Sequence, residues 1–273
     1  MGGLLYANEI YINDRLSIRI PTVGEIIKSE KNDSYKESEL FYSYYDVLKL
    51  LVATPQDYMV QLDDAGVDFT TLSQYDLFLS LFQNLQREHL TRKLKGDKPI
   101  PIPFDMVFKG VDFLSLKIGI NAENQTLVLY NDNNEVVIDR AIHLQINRLL
   151  NRIHYIQPDR RKAGNEEARK YMIERARIKQ QRAARRKRDE HKSQLEDLIV
   201  ALVNTEQFKY NYDTVRDLTI YQFNTSLHQI VNKMNYDNIM TGYYSGTVDI
   251  SKMSQDDLNW LTLNKTGGKN NER

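Results

Sequence analysis

A chain of 273 residues has room for one large domain or two modest ones, and its 37 Lys+Arg balance its 37 Asp+Glu. With no cysteine it has no disulfide, no Cys-bound zinc, no iron–sulfur cluster and no thiol nucleophile. Hydrophobic residues at 41% and charged residues at 27% separate it from disordered chains. The start, MGGLLYANEIYIND, lacks the basic region and apolar run of a signal peptide, and no window approaches the roughly 20 apolar residues of a bilayer span. A soluble intracellular protein with no membrane partner is expected.

Residues 4–20, LLYANEIYINDRLSIRI, read as a hairpin: Asn13–Asp14 is a turn signal, and Leu16, Ile18 and Ile20 share one strand face. Pro21 then opens a short helix through IPTVGEII, followed by a polar loop at 32–38. Leu40, Phe41, Tyr44, Tyr45, Val47, Leu48, Leu51 and Val52 make the wide apolar stripe of a helix. Thr54 caps a second helix that starts at Pro55 and closes at Gly66. Thr71 or Ser73 caps a third, with Leu77, Phe78, Leu81, Phe82 and Leu85 on its buried side. Three alternating prolines, Pro99, Pro101 and Pro103, enforce an extended break across 94–103. Strands return at 113–120, 126–130 and 135–138, the last two joined by an Asn-Asp-Asn-Asn turn, and are expected to share one sheet with the hairpin. A helix beginning near Asp139 carries Ile142, Ile146, Leu149, Leu150 and Ile153 on one side and ends before Pro158.

The stretch 160–192 holds 14 Lys/Arg against five Asp/Glu, so the rest of a neutral chain must sum to nine negative charges. Glu, Arg, Lys, Gln and Ala fill it and favour one long helix over 165–203, or two nearly end to end. Arg182, Arg185, Arg186 and Arg188 form a candidate basic face. Such a face either tracks a phosphate backbone or docks on an acidic protein surface, in its own or a neighbouring subunit. From Leu195 on, Leu198, Ile199, Leu202 and Val203 repeat at helical spacing toward a core. Thr219 starts a last helix, with Phe223, Leu227, Ile230, Val231 and Met234 in phase and Gly242 at its end. These elements sum to an α+β fold, mostly helical, with a small amino-terminal and central antiparallel sheet. Its expected divisions are a mixed body over 1–157, a hinge and long basic helix over 158–192, a helical region over 193–262, and a disordered tail over 263–273.

No catalytic, cofactor or metal constellation stands out. His89, His143, His154, His191 and His228 lie too far apart for a local metal motif and read as surface or boundary residues. Asp63, Asp64 and Asp68 fail the calcium-loop spacing, since Asp68 falls where glycine is required, and serve as cap and turn acids. An enzyme reading has nothing to attach to. Tyrosine, at 17 residues, is over-used, and its apolar ring with a polar tip suits contacts that are wet in one state and buried in another. Phe41, Tyr42, Tyr44 and Tyr45 crowd too much of one helix circumference to enter a single core. Phe41, Tyr42, Tyr45, Tyr243 and Tyr244 are therefore candidate partner-binding residues, unless adjacent helices bury both sides.

Three stretches carry a resemblance: LYANEIYINDRLSIRIPTVGEII; FYSYYDVLKLLVATPQDYMVQLDDAGVDF with YDLFLSLF; and TIYQFNTSLHQIVNKMNYDNIMTGYYSGTVDISKMSQDDLNW. Together they cover about half of the chain, and it resembles virion-morphogenesis proteins of tailed bacteriophages of Gram-positive hosts, of the tail-assembly and baseplate-associated kind. What carries over is Pro21–Gly24, the Thr54–Pro55 start and Tyr243–Gly246; no catalytic residue does. The resemblance implies a non-enzymatic assembly factor, chaperone or structural component. Its implied partners are other tail or baseplate proteins, the tape-measure protein among them, with self-association also open. Its implied place is the host cytoplasm during assembly and then the virion tail or baseplate. The basic stretch departs from compact chaperones and favours an extended component. The alternative is a nucleic-acid-associated factor that uses residues 160–192.

Overall fold

The computed structural model describes residues 3–30, 42–97, 101–122, 125–133, 136–185, 194–254 and 258–261. The predicted loop 32–38 and tail 263–273 lie outside them. The fold is mostly helical with small antiparallel sheets, as the sequence leads one to expect.

Strands β1 (Glu9–Asn13) and β2 (Leu16–Arg19) form the hairpin, and the Asn13 side-chain oxygen accepts from the amides of Arg15 and Leu16 at 2.9 and 2.8 Å. This closes the turn without a glycine. Leu16, Ile18 and Ile20 all point inward, at 1%, 0% and 2% exposure. Strands β3 (Lys117–Ile120), β4 (Leu127–Tyr130) and β5 (Val137–Ile138) form a second antiparallel sheet in that order. One shared sheet was expected, and two are found among the described residues. The outer side of β2 is already engaged: the Arg19 amide donates to the Val107 carbonyl at 2.8 Å, and Ile18 bridges Phe108. The strand expected from residue 113 also starts late, because Phe113–Ser115 winds into a 3-10 turn. That turn drops the Phe113 ring between Phe104 and Phe108, at centroid distances of 4.6 and 4.5 Å.

Local caps set most helix starts. Helix α1 (Val23–Glu30) begins at Thr22, whose hydroxyl accepts from the Glu25 amide at 3.2 Å, so Pro21 precedes the cap instead of opening the helix. Ser43 and Asp46 build a reciprocal capping box on α2 (Tyr44–Val52). Helix α3 (Met59–Asp64) starts later than Pro55 because the Thr54 hydroxyl donates to the Asp57 carboxylate at 2.7 Å, closing a separate turn first. Ser73 caps α4 (Gln74–Lys95), which ends on Gly96 at φ 75°, a left-handed position that suits glycine. Asp139 caps α5 (Arg140–His154) through the Ile142 amide at 2.8 Å. Two further helices, α6 (Glu166–Arg185) and α7 (Gln194–Val203), occupy the stretch expected to be helical over 165–203; residues 186–193 between them lie outside the described ones.

Helix α8 (Ile220–Tyr244) runs through Gly242, where an end was expected. Gly242 serves close approach instead: a Cβ there would lie 2.5 Å from Val248 Cγ2, and its carbonyl accepts from the Thr247 and Val248 amides at 2.8 and 3.1 Å. The chain thus turns at Gly246 (φ 75°) and folds back on the helix. Only the first part of α8 is buried, through Ile220, Tyr221, Phe223, Thr225 and Ile230; Val231 and Met234, expected in the core, are 44% and 48% exposed.

One apolar cluster joins both ends of the chain. Leu16, Ile18 and Val23 pack with Leu48, Phe82 and Ile146, and with Leu195, Ile199, Ile220 and Phe223. A backbone splice holds α1 and α8 together at their starts: the Val23 amide donates to the Leu218 carbonyl and the Ile220 amide to the Pro21 carbonyl, both at 2.9 Å. Thr219 sits in this splice, 4% exposed, and forms a reciprocal capping box with Gln222. Thr219→Ala is expected to lower stability by about 1–2 kcal/mol, the upper part of the range for lost N-caps. Urea unfolding with an unchanged slope would measure it.

Candidate functional site

The basic helix α6 divides into two faces. Ile173 is its one buried residue among those described. It packs with Met59, Val60 and Phe69 in a small apolar cluster apart from the main core, with Leu62, Met172 and Ala176 at the margin. Arg169, Ile173 and Arg177 follow at steps of four and share this side of the helix. Arg177 reaches Asp63 at 3.3 Å and Asp64 at 2.7 Å, and these carboxylates raise its already high pKa. Arg169 forks onto Glu166 at 2.9 and 2.7 Å and stands 3.9 Å from Asp68. Asp68 also accepts from the Thr70 amide and hydroxyl, both at 2.8 Å, which together with Arg169 hold its carboxyl below the usual range. The three aspartates read from sequence as cap and turn acids therefore also anchor α6 on its own chain. Their clustering within six residues, opposite the only strongly basic stretch, was the available signal.

The other face is open. Arg175, Lys179, Arg182 and Arg185 are all exposed, and no carboxylate occurs in the sequence from Arg175 to Arg185. The Arg175 guanidinium lies 5.7 Å from the centroid of the Tyr171 ring, and Lys179 lies in the field of Asp159. Arg182 and Arg185 have no carboxylate partner among the described residues. Arg186 and Arg188 lie outside them.

The candidate aromatics separate in the same way. Tyr42 and Tyr45 pack half-buried against the main core, and the Tyr42 hydroxyl donates to Glu88 at 3.1 Å. Tyr44, between them, is 1% exposed and its hydroxyl pairs with His154 Nε2 at 3.0 Å. The crowding around this helix is thus met by burial on more than one side, with α5 supplying the second. Tyr243 and Tyr244, by contrast, are 45% and 82% exposed at the end of α8, with ring centroids 5.5 Å apart. Phe41 lies outside the described residues.

One histidine, His143, is neither a surface nor a boundary residue, while His154 is half-buried. His143 is 3% exposed, stacked at 4.5 Å on Phe78, with Nε2 3.2 Å from the Leu51 carbonyl; burial pushes its pKa down to about 4. Burial lowers His154 to about 3. The sequence misjudged His143 because α5 places this polar side chain on the same face as Ile146 and Ile153, while its ring partners come from α4 and its hydrogen-bond acceptor from α2. Among the described residues, no group of three or more His, Cys, Asp and Glu is placed to hold a metal ion, and no helix is long and apolar enough to cross a membrane. An open groove runs along the end of α4, lined by Asn84, Arg87, Glu88, Thr91, Arg92 and Asp97.

Residues 186–263 match the family model of the YomV second domain. This region spans α7, α8 and the segment that folds back on α8. The matched family is phage-derived, of the Bacillus phage SPBc2-like kind, in agreement with the phage origin that the resemblance implies. No curated protein and no solved structure matches the chain significantly.

Proposed function

We propose that this chain is a non-enzymatic phage morphogenesis protein that acts by binding other tail or baseplate proteins, in the host cytoplasm during assembly. The observation that carries the reading is the distal part of α8. Beyond Ile230 this helix has no buried residue, yet it presents Val231, Met234, Tyr243 and Tyr244 to solvent. Exposed aromatics on a preformed helix suit a protein interface, since tyrosine adds contact area at little cost in side-chain freedom. The match to a phage-derived family over 186–263 includes this helix.

Tyr243→Ser with Tyr244→Ser is expected to reduce co-purification with neighbouring tail proteins about tenfold or more, as loss of an interface hot spot does. Because both side chains are exposed, the thermal melt should stay within about 0.5 kcal/mol of the parent. Undiminished co-purification would remove these residues from the interface. Probing mature particles for the chain distinguishes a retained component from an assembly factor that leaves.

A further inference from the structure

We propose that the outward face of α6 binds the phosphate backbone of duplex nucleic acid, without sequence preference, through Arg175, Lys179, Arg182 and Arg185. Arg169, Ile173 and Arg177 mark the side of α6 held against α3. At about 100° per residue, Arg175 lies opposite the midpoint of Ile173 and Arg177, and Lys179 and Arg182 fall within about 40° of Arg175. The helix is therefore oriented by its own acidic and apolar contacts so that a line of cations faces solvent. Docking on α3 and the turn after it engages the carboxylates Asp63, Asp64 and Asp68 on the inner side; on the outer side Lys179 lies in the field of Asp159, and Arg182 and Arg185 have no carboxylate partner among the described residues.

The composition of this face selects among polyanions. Three of its four cations are arginines, whose planar forks match phosphate oxygens. A membrane-surface helix needs a broad apolar stripe, but the buried apolar side chain of α6, Ile173, is already spent on Met59, Val60 and Phe69. The outward side offers Ile178 at 40% exposure and Tyr171 at 59%. A single-strand binder needs several stacking rings, and the ring here, Tyr171, already has Arg175 over it. Duplex phosphate remains, read as charge alone. This assignment is independent of what α8 binds.

The test is fluorescence anisotropy of a short mixed-sequence DNA duplex titrated with the full chain. Four phosphate contacts predict a roughly 100-fold loss of affinity between about 50 and 200 mM salt. The triple variant Arg175→Glu, Lys179→Glu, Arg182→Glu should abolish binding while its circular-dichroism melt is kept, since all three side chains are exposed. Lys49→Glu, at an exposed lysine on α2, should leave affinity unchanged. Absence of binding at about 50 mM salt, binding that survives the triple variant, or binding to vesicles of anionic phospholipid in place of the duplex would each overturn the proposal.

Discussion

Phe113→Ala should be among the most damaging single substitutions in this chain, lowering stability by about 3–5 kcal/mol. The ring is 1% exposed and lies within 5.3 Å of Phe82, 4.6 Å of Phe104 and 4.5 Å of Phe108, centroid to centroid. Truncation leaves a cavity among residues fixed from three directions: α4 holds Phe82, the 3-10 turn Phe104–Met106 holds Phe104, and Phe108 bridges β2. None of these can collapse into the void without disturbing the hairpin or the helix. A urea titration should show a lower midpoint at unchanged slope. A loss under about 1 kcal/mol would mean that the cluster repacks freely.

Acid is the second lever. His143 ordinarily titrates near 6.5, and burial against Tyr75 and Phe78 lowers its folded value to about 4. The unfolded chain therefore takes up this proton first. The stability associated with a neutral His143 is complete above pH 6.5 and is lost as pH falls from there to about 4, by about 3 kcal/mol in total. His154, also lowered by burial, acts in the same direction. His143→Leu keeps the volume apolar, forgoes the contact with the Leu51 carbonyl, and should flatten this part of the stability–pH curve. If the variant and the parent decline in parallel from pH 6.5 to 4, His143 is not the group that titrates.

These two residues show the limits of reading the chain one element at a time. The hairpin turn and the helix starts at Ser73, Asp139 and Thr219 were legible because each joins groups two or three residues apart, whereas the stripe from Leu40 hid the cap at Ser43. The apolar stripes of α2, α4 and α5 were legible for the same reason, since helical periodicity is a local property. Phe113 was assigned to a strand because alternation is local evidence too, while its packing against Phe82 of α4, 31 residues away, is not. His143 was placed outside the core because histidine is polar, whereas the aromatic pocket that receives it comes from α4 and its acceptor from α2.

The candidate surfaces divide along the same line. That Arg160–Lys192 is basic, that Tyr243 and Tyr244 are adjacent, and that Asp63, Asp64 and Asp68 cluster are matters of sequence. Sequence alone also determined the cysteine-free chemistry, the mostly helical class and the places where α4, α5, α6 and α8 begin. Tertiary structure decided which carboxylates neutralise Arg177, that Tyr44 is buried while Tyr244 stays in solvent, and which side of α6 is left charged. Caps and periodicity act over a few residues along the chain. Burial and charge pairing depend also on neighbours distant in sequence, more than 100 residues away for Arg177 with Asp63 and Tyr44 with His154.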